Sequence, residues 1–166
     1  GTIYGLYHIS EKMGVSPWVY WGDATPVAKD VVQIPEKELT VTSKEPSVKY
    51  RGIFLNDEAP SLTSYAKKKF GGYNQYFYEN VYELILRCKG NYLWPAMWSN
   101  TFSEDGKGTN KLANAELADK YGIVMGTSHH EPLCRAGVEW QNKYRQYGTS
   151  NAWDFNANET AITKFW

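Results

Sequence analysis

Three short apolar segments recur along the chain, each bounded by turn residues and followed by a helical pattern. They cover residues 48–55, 91–97 and 123–127. Short runs of this kind are typical of buried strands, whereas apolar residues spaced three and four apart predict helices. Helices are predicted over residues 73–89, 111–121 and about 138–147, with a further one that starts near Asn158 as its N-cap. The alternation of strand and helix predicts an α/β fold with a parallel sheet.

The first 47 residues have a different pattern. Apolar residues at helical spacing predict a short amphipathic helix over residues 2–13, and Gly14 follows as its C-cap. Residues 24–47 are polar and contain three prolines, which is typical of a linker or an edge strand. We therefore expect residues 1–47 to end one domain and residues 48–166 to begin another. Both ends of the sequence fall in apparent helices, so we expect a piece of a longer protein.

A parallel sheet with right-handed crossovers is either doubly wound or closed into a barrel. A nucleotide-binding sheet carries a glycine-rich loop directly after its first strand. The sequence after residue 55 reads NDEAP and contains no such loop. The main argument for a nucleotide-binding protein is therefore missing.

The composition narrows the function classes further. Of the 166 residues, 42% are hydrophobic and 22% are charged, as expected for a folded domain with a sizeable core. Lys and Arg balance Asp and Glu at 18 each, so there is no electrostatic argument for nucleic acid or an acidic membrane. No apolar run approaches the ~20 residues of a membrane span. Cys88 and Cys134 match no metal or redox spacing, and we predict two buried thiols, with a disulfide as the alternative.

Aromatic residues make up 16% of the chain, including 13 Tyr and 7 Trp. A ring with a flat apolar face and a polar tip suits the apolar faces and hydroxyl edges of sugars. A tyrosine-rich core would explain the same composition. Composition alone leaves both interpretations open.

The residues that follow each predicted strand hold the candidate chemistry, because functional groups of βα barrels lie at the carboxyl ends of the strands. After the first strand come Asn56, Asp57 and Glu58. Neighbouring side chains of an extended segment point apart, so we expect at most one of the two carboxylates to face a ligand. The structural alternatives are a helix N-cap or a salt bridge to Arg51 or a lysine.

The two later strand ends are also polar and aromatic. Trp94 and Trp98 lie at the end of the second predicted strand, where they indicate a sugar platform, with core packing as the alternative. His129, His130 and Glu131 follow the third strand. Adjacent histidines seldom share one metal ion, so we expect hydrogen bonding to a polar ligand or a capping role, and no metal or cofactor.

Three ordered blocks of the sequence carry a family resemblance. They read VKYRGIFLNDEAP at residues 48–60, NYLWPAMW at 91–98 and GIVMGTSHHEP at 122–132. With these blocks the chain resembles glycoside hydrolase family 115, the xylan α-1,2-glucuronidases. The opening helix and the turn at Ser16, Pro17 and Trp18 also look like the segment that closes the family's N-terminal α/β domain. The resemblance covers essentially the whole chain.

The resemblance implies the first three βα units of a TIM-type (β/α)8 barrel, preceded by the last helix and linker of a small α/β domain. It implies removal of glucuronic acid or its 4-O-methyl form from xylan, with inversion at the anomeric carbon. It also implies a multidomain, often dimeric enzyme that is secreted or periplasmic. Because only about three of the eight βα units fit in this length, we expect the isolated chain to be inactive.

The same resemblance assigns roles to single residues. The predicted catalytic carboxylates are Asp57, Glu58 and Glu131, with the principal acid or base on a later strand as a further option. The predicted substrate-binding residues are Trp18, Tyr20, Trp21, Asn56, Trp94, Trp98, His129 and His130, the first three on a loop over the barrel mouth. The substrate carboxylate calls for a cation, and Arg51, Arg135 and the two histidines are the candidates.

Other functions stay open at this point. The full protein could be a non-catalytic carbohydrate-binding barrel that lacks its acid or base. A hexosaminidase-like enzyme would use a neighbouring Asp–Glu pair, which Asp57 and Glu58 superficially match. A purely structural interpretation treats the aromatic residues as core and the carboxylates as caps, and it predicts no sugar binding.

Overall fold

The computed structural model describes residues 1–22, 24–128 and 130–166, except for the side chain of Pro132. The elements in chain order are helix α1 (Thr2–Lys12), helix α2 (Glu36–Leu39), strand β1 (Gly52–Phe54), helices α3 (Ser61–Phe70) and α4 (Gln75–Arg87), strand β2 (Tyr92–Trp94), helix α5 (Ala113–Tyr121), strand β3 (Val124–Met125), and helices α6 (Gly137–Lys143) and α7 (Phe155–Phe165). Short 3-10 turns cover Pro132–Cys134 and Tyr144–Gln146.

The three strands form one parallel sheet in the order β1-β2-β3. Gly52 pairs with Tyr92 and Phe54 with Trp94, while Tyr92 also pairs with Val124. The predicted α/β fold and its parallel sheet are confirmed. The paired segments are shorter than the apolar runs, since residues 52–54, 92–94 and 124–125 are the ones paired in the ladder.

Helix α4 contributes more buried residues to the core than any other described element. Its N-cap Asn74 accepts a hydrogen bond from the backbone N–H of Tyr76, and the helix buries an apolar stripe that includes Phe77 and Val81. Leu93 of β2 is fully buried in the same cluster. Burial raises the pKa of Tyr82, whose neutral hydroxyl donates to the backbone oxygen of Asn114 at 3.1 Å. Part of the high tyrosine content is therefore core.

Helix α3 was not predicted from the pattern. It contains three consecutive lysines and buries only Ala66, so its amphipathic signal is weak. It ends at Gly71, which adopts a φ of 83°; the backbone N–H of Gly71 donates to the Lys67 oxygen, and that of Gly72 donates to the Ala66 oxygen.

The predicted start of the last helix is wrong. Asp154 is the N-cap of α7 and accepts from the backbone N–H of Asn156 at 3.0 Å. Asn158 lies inside the helix at a kink, with φ −143° and ψ 32°, and its amide donates to the backbone oxygens of Ser150 and Ala152. An N-cap side chain accepts from a backbone N–H, whereas the Asn158 amide donates to carbonyl oxygens of the preceding loop.

The N-terminal part packs on the outside of this unit. Helix α1 confirms the predicted helix, but its C-cap is Met13, and Gly14, with φ 98°, is the next residue. Helix α2 adds a short turn inside the predicted linker. Tyr4 donates to the backbone oxygen of Gly90 at 2.8 Å, and the Arg87 guanidinium lies 4.6 Å from the centre of the Tyr7 ring. Helix α1 thus packs against α4.

Both cysteines are free and exposed, so the predictions of buried thiols and of a disulfide are wrong. Cys88 is the C-cap residue of α4, and Cys134 lies in a surface 3-10 turn with φ 59°. Cys88 thus lies just beyond the buried stripe of α4. None of the described helices is long and apolar enough to cross a membrane.

Candidate active site at the carboxyl edge of the sheet

The two faces of the sheet differ in what covers them. Leu93 points to the helices, so its neighbours Tyr92 and Trp94 point to the opposite face. There Phe54 and Trp94 meet edge to face with ring centres 5.6 Å apart, and the indole N–H of Trp94 donates to the Tyr92 hydroxyl at 2.8 Å. Trp94 is 37% exposed, so it packs on its neighbours and still presents part of its ring.

Asp57 connects the ends of β1 and β2. Its Oδ1 accepts from the backbone N–H of Trp98 at 2.9 Å, and its Oδ2 accepts from the backbone N–H of Ser99 and the side-chain amide of Asn100, both at 2.6 Å. The first two predicted strand-end clusters therefore lie together, as parallel strands require. Trp98 is 41% exposed and is not core.

Asn56 and Glu58 flank this carboxylate. Glu58 is exposed, and α3 has no side-chain cap; the Glu58 backbone oxygen instead accepts from the N–H of Thr63 at 3.0 Å. The N-cap alternative therefore does not apply to α3. Asn56 Oδ1 is buried and finds no hydrogen-bond partner within the described part of the chain.

The arginine before β1 lies at the other end of the strand. Arg51 donates to the backbone oxygens of Val48, Lys49 and Lys89 at 2.9–3.1 Å. Its guanidinium therefore ties chain segments at the amino edge of the sheet. This placement removes Arg51 both as a salt-bridge partner of the β1-end carboxylates and as a cation for a substrate carboxylate at the carboxyl edge.

Glu131 follows β3 and is only 2% exposed. Its Oε2 accepts a hydrogen bond from the Ser128 hydroxyl, and its backbone oxygen accepts from the Thr127 hydroxyl at 3.0 Å. The loop thus folds back on itself and encloses the carboxylate. A buried carboxylate needs such partners, and its position beside a strand end keeps it a candidate for chemistry.

His130 and Arg135 continue this loop. They line a cavity of about 360 Å³ together with Trp140 and Trp153. Arg135 donates two hydrogen bonds to Glu139, at 3.0 and 2.6 Å, so two of its guanidinium nitrogens are already engaged. His129 lies outside the described residues. Within the described ranges, no group of three His, Cys, Asp or Glu side chains is arranged to hold a metal ion.

An ion pair fixes helix α6 to the loop after β2. Lys143 Nζ lies 2.6 Å from Glu104 Oε2, and it also reaches Glu139 at 3.4 Å. The hydrogen bond from Lys143 lowers the pKa of Glu104, and the same bond raises the pKa of Lys143. The two loops that border the site are therefore linked through α6.

The turn that contains Trp18, Tyr20 and Trp21 packs against helices α3 and α4 through Trp21. The Trp21 ring centre lies 5.8 Å from that of Tyr65 on α3 and 5.9 Å from that of Phe77 on α4. Trp18 and Tyr20 are exposed. The substrate-binding role of these three residues stays a prediction.

Sequence reasoning missed the residues that shape the loop after β2. Asp105 accepts from the N–H groups of Thr101 and Phe102 and from the Thr101 hydroxyl, at 2.7–2.9 Å. The fully buried Asn114 donates to the backbone oxygens of Phe102 and Tyr73 at 2.8 and 3.1 Å. A signal was available, because Thr followed by Asp four residues later is typical of a side-chain-capped turn.

The fold and the site together define an α/β protein whose strand ends carry carboxylates, an amide and exposed indole rings. The family model described as "Glycosyl hydrolase family 115" matches residues 43–166. The chain belongs to this family. No curated protein matches the chain.

A similar solved structure is that of BtGH115A, described as a family GH115 4-O-methyl-α-glucuronidase with specificity for decorated arabinogalactans. It is 34% identical to this chain, with a TM-score of 0.75. The match covers 98% of this chain and 21% of that protein. The present chain thus spans about a fifth of the length of this relative.

Proposed function

We propose that the full-length protein containing this chain is a glycoside hydrolase that removes glucuronic acid, or its 4-O-methyl form, from xylan with inversion. Family membership supports the reaction class, and the similar glucuronidase supports the uronic acid. The observation that carries the proposal is the carboxyl edge of the sheet. There Asp57 joins the Trp98 loop, and acidic and aromatic side chains follow neighbouring strands.

The sheet is proposed to continue as a (β/α)8 barrel, preceded by a small α/β domain that ends near residue 47. All three strands are parallel, and helix α4 packs on one face only. The other face presents aromatic side chains that include Phe54 and Trp94, both partly exposed. In a barrel, side chains on this face fill the interior, so further strands would cover them.

Inversion needs a carboxylic acid that protonates the leaving oxygen and a carboxylate about 6.5–9.5 Å away that activates water. Glu58 and Glu131 are the proposed pair within this chain, with a partner on a later strand as the alternative. They follow β1 and β3, which are separated by β2. Two strand spacings amount to roughly 9–10 Å between backbones, which is compatible with that separation.

Trp94 and Trp98 are proposed as sugar platforms. Both are partly exposed, and an indole face suits the apolar face of a pyranose ring. Asn56, His129 and His130 would hydrogen-bond the sugar hydroxyls. The exposed Trp18 and Tyr20, with the neighbouring Trp21, would contact the polymer outside the pocket.

The polymer that carries the uronic acid has a second candidate. The similar glucuronidase is described as specific for decorated arabinogalactans, so this substrate class competes with xylan. The two are separated by comparing 4-O-methylglucuronic acid release by the full-length protein from glucuronoxylan and from decorated arabinogalactan. NMR of the first-formed anomer tests inversion.

Carboxylate variants test the roles of single residues. We expect Glu58→Gln and Glu131→Gln each to lower kcat by about 100-fold or more, as loss of an acid or base does. Glu159→Gln, an exposed carboxylate on α7, is the matched control and should retain activity. Full activity in both site variants would exclude Glu58 and Glu131 as the catalytic pair. If the parent protein bound the sugar but released no uronic acid, a non-catalytic barrel would be favoured.

A polymeric substrate stays outside the cell, so the protein is proposed to be secreted or periplasmic. Fractionation of producing cells tests this location. The full-length protein is also proposed to be a homodimer, which light scattering during size exclusion would measure directly. A hexosaminidase-like reaction is less well supported, because Asp57 is occupied by the Trp98 loop rather than directed with Glu58 at one substrate.

A further inference from the structure

The carboxylate of Asp57 is occupied by donors from a single loop. Three N–H groups bind it at 2.6–2.9 Å, two from the backbone and one from the side chain of Asn100. A carboxylate has about four lone-pair sites, so one remains. A general acid or base must present an oxygen to the leaving group or to water, and the neighbouring Glu58 is better exposed for that purpose.

Within the described part of the chain, the hydrogen bonds that residues 98–100 donate all go to Asp57. Residues 98–100 lie 41–43 positions after Asp57 in sequence and contain no helix or strand. Hydrogen bonds to an ionised acceptor are about twice as strong as neutral ones. Asp57 therefore fixes the backbone from which the partly exposed Trp98 ring projects.

We propose that Asp57 is a positioning residue that holds Trp98 as a platform for a pyranose ring of the substrate, rather than the acid or base of the reaction. The inference rests on the proposed function, and it assigns Asp57 and Trp98 to one functional unit. Asn100 belongs to the same unit, because it contributes one of the three donors. Glu58, one residue further, lies outside it.

The first test measures the loop itself and needs no substrate. In the full-length protein, Asp57→Asn places an amide N–H₂ against N–H donors while conserving the shape of the side chain. Amide hydrogen exchange of a peptide that covers residues 94–100 should become at least about tenfold faster. Glu58→Gln is the matched control, and its exchange over these residues should equal that of the parent. Unchanged exchange in Asp57→Asn would overturn the proposal.

The second test measures catalysis. Asp57→Asn and Trp98→Ala should each lower kcat/KM by about 10–100-fold, as expected for a misplaced substrate. The double variant should lose little more than the worse single variant, because both changes remove the same platform. Asn100→Ala should lower kcat/KM in the same direction by a smaller factor. Both limbs of the pH profile of kcat/KM should remain in Asp57→Asn.

The opposite kinetic results would overturn the inference. If Asp57 were the acid or base, the losses of Asp57→Asn and Trp98→Ala would multiply, and one limb of the pH profile would disappear. A parent protein that released no uronic acid would contradict the proposed function. Hydrogen exchange would still decide whether Asp57 holds the loop, so the two failures are distinguishable.

Discussion

Gly126, directly after β3, is where a single methyl group should disturb the site. A Cβ built there would lie 2.6 Å from Tyr92 Cζ and 2.9 Å from Trp94 Nε1, and still closer to the Tyr92 hydroxyl oxygen. Gly126 has no left-handed φ, so the requirement is for space and not for backbone freedom. We therefore expect Gly126→Ala to push the Tyr92 ring away from Trp94.

The size of the effect follows from the contacts. Non-bonded heavy atoms pack at about 3.5–4.0 Å, so the tip of the Tyr92 ring, whose hydroxyl comes closest to the new methyl group, must move by roughly 1.5–2 Å. Overpacking of this kind costs about 1–3 kcal/mol, and breaking the 2.8 Å bond from Trp94 to Tyr92 adds about 1 kcal/mol. For a cooperative unit of about 150–250 residues, a loss of 2–4 kcal/mol lowers the melting temperature by roughly 4–16 °C.

Scanning calorimetry of the full-length protein measures this shift. Gly137→Ala is the matched control, because among the described residues its Cβ would meet only the backbone oxygen of His130, at 3.9 Å. It should be neutral or slightly stabilising, since alanine favours a helix more than glycine does. In a Tyr92→Leu background, Gly126→Ala should cost much less. An unchanged melting temperature for Gly126→Ala, or an equal loss in the Tyr92→Leu background, would refute the reasoning.

Three further predictions concern stability. Asn114→Ala leaves two buried carbonyl oxygens without their donor and should cost about 2–4 kcal/mol in urea unfolding. Gly52→Ala should lower the yield of folded protein on expression, because its Cβ would overlap the backbone carbonyl of Tyr92, which a side-chain movement cannot relieve. The pKa of Glu104 is lowered below its usual 4.5 and that of Lys143 is raised above 10.5, so their pair should stabilise between these values. Its contribution should be lost as the pH falls through the folded pKa of Glu104 or rises through that of Lys143. Glu104→Gln should therefore destabilise the protein at pH 7 by less than about 1 kcal/mol, seen as a slightly lower melting temperature. In strong acid the same substitution should leave the melting temperature unchanged. An equal effect at both pH values would contradict the assignment.

The sequence by itself determined the class of fold and where the strands end. Apolar runs flanked by turn residues located β1, β2 and β3, although Leu93 of β2 is the one buried residue among the described strands and β1 is exposed at all three positions. The ends of these three strands then predicted three clusters of polar and aromatic side chains from the sequence alone. Patterns failed where burial was slight, as for α3, and where an asparagine bound loop backbone instead of capping a helix.

Only the tertiary structure decided what each polar side chain does at those ends. Asp57 and Glu58 are adjacent carboxylates that the sequence treats alike, yet one is occupied by the Trp98 loop and the other is exposed. Arg51 likewise looked available until its contacts placed it at the opposite edge of the sheet. The periodicity of apolar residues indicates which face of a helix or strand is buried. The donors that bind Asp57 come from a segment some 40 residues away, and only the packing of the strands and loops brings that segment to the carboxylate.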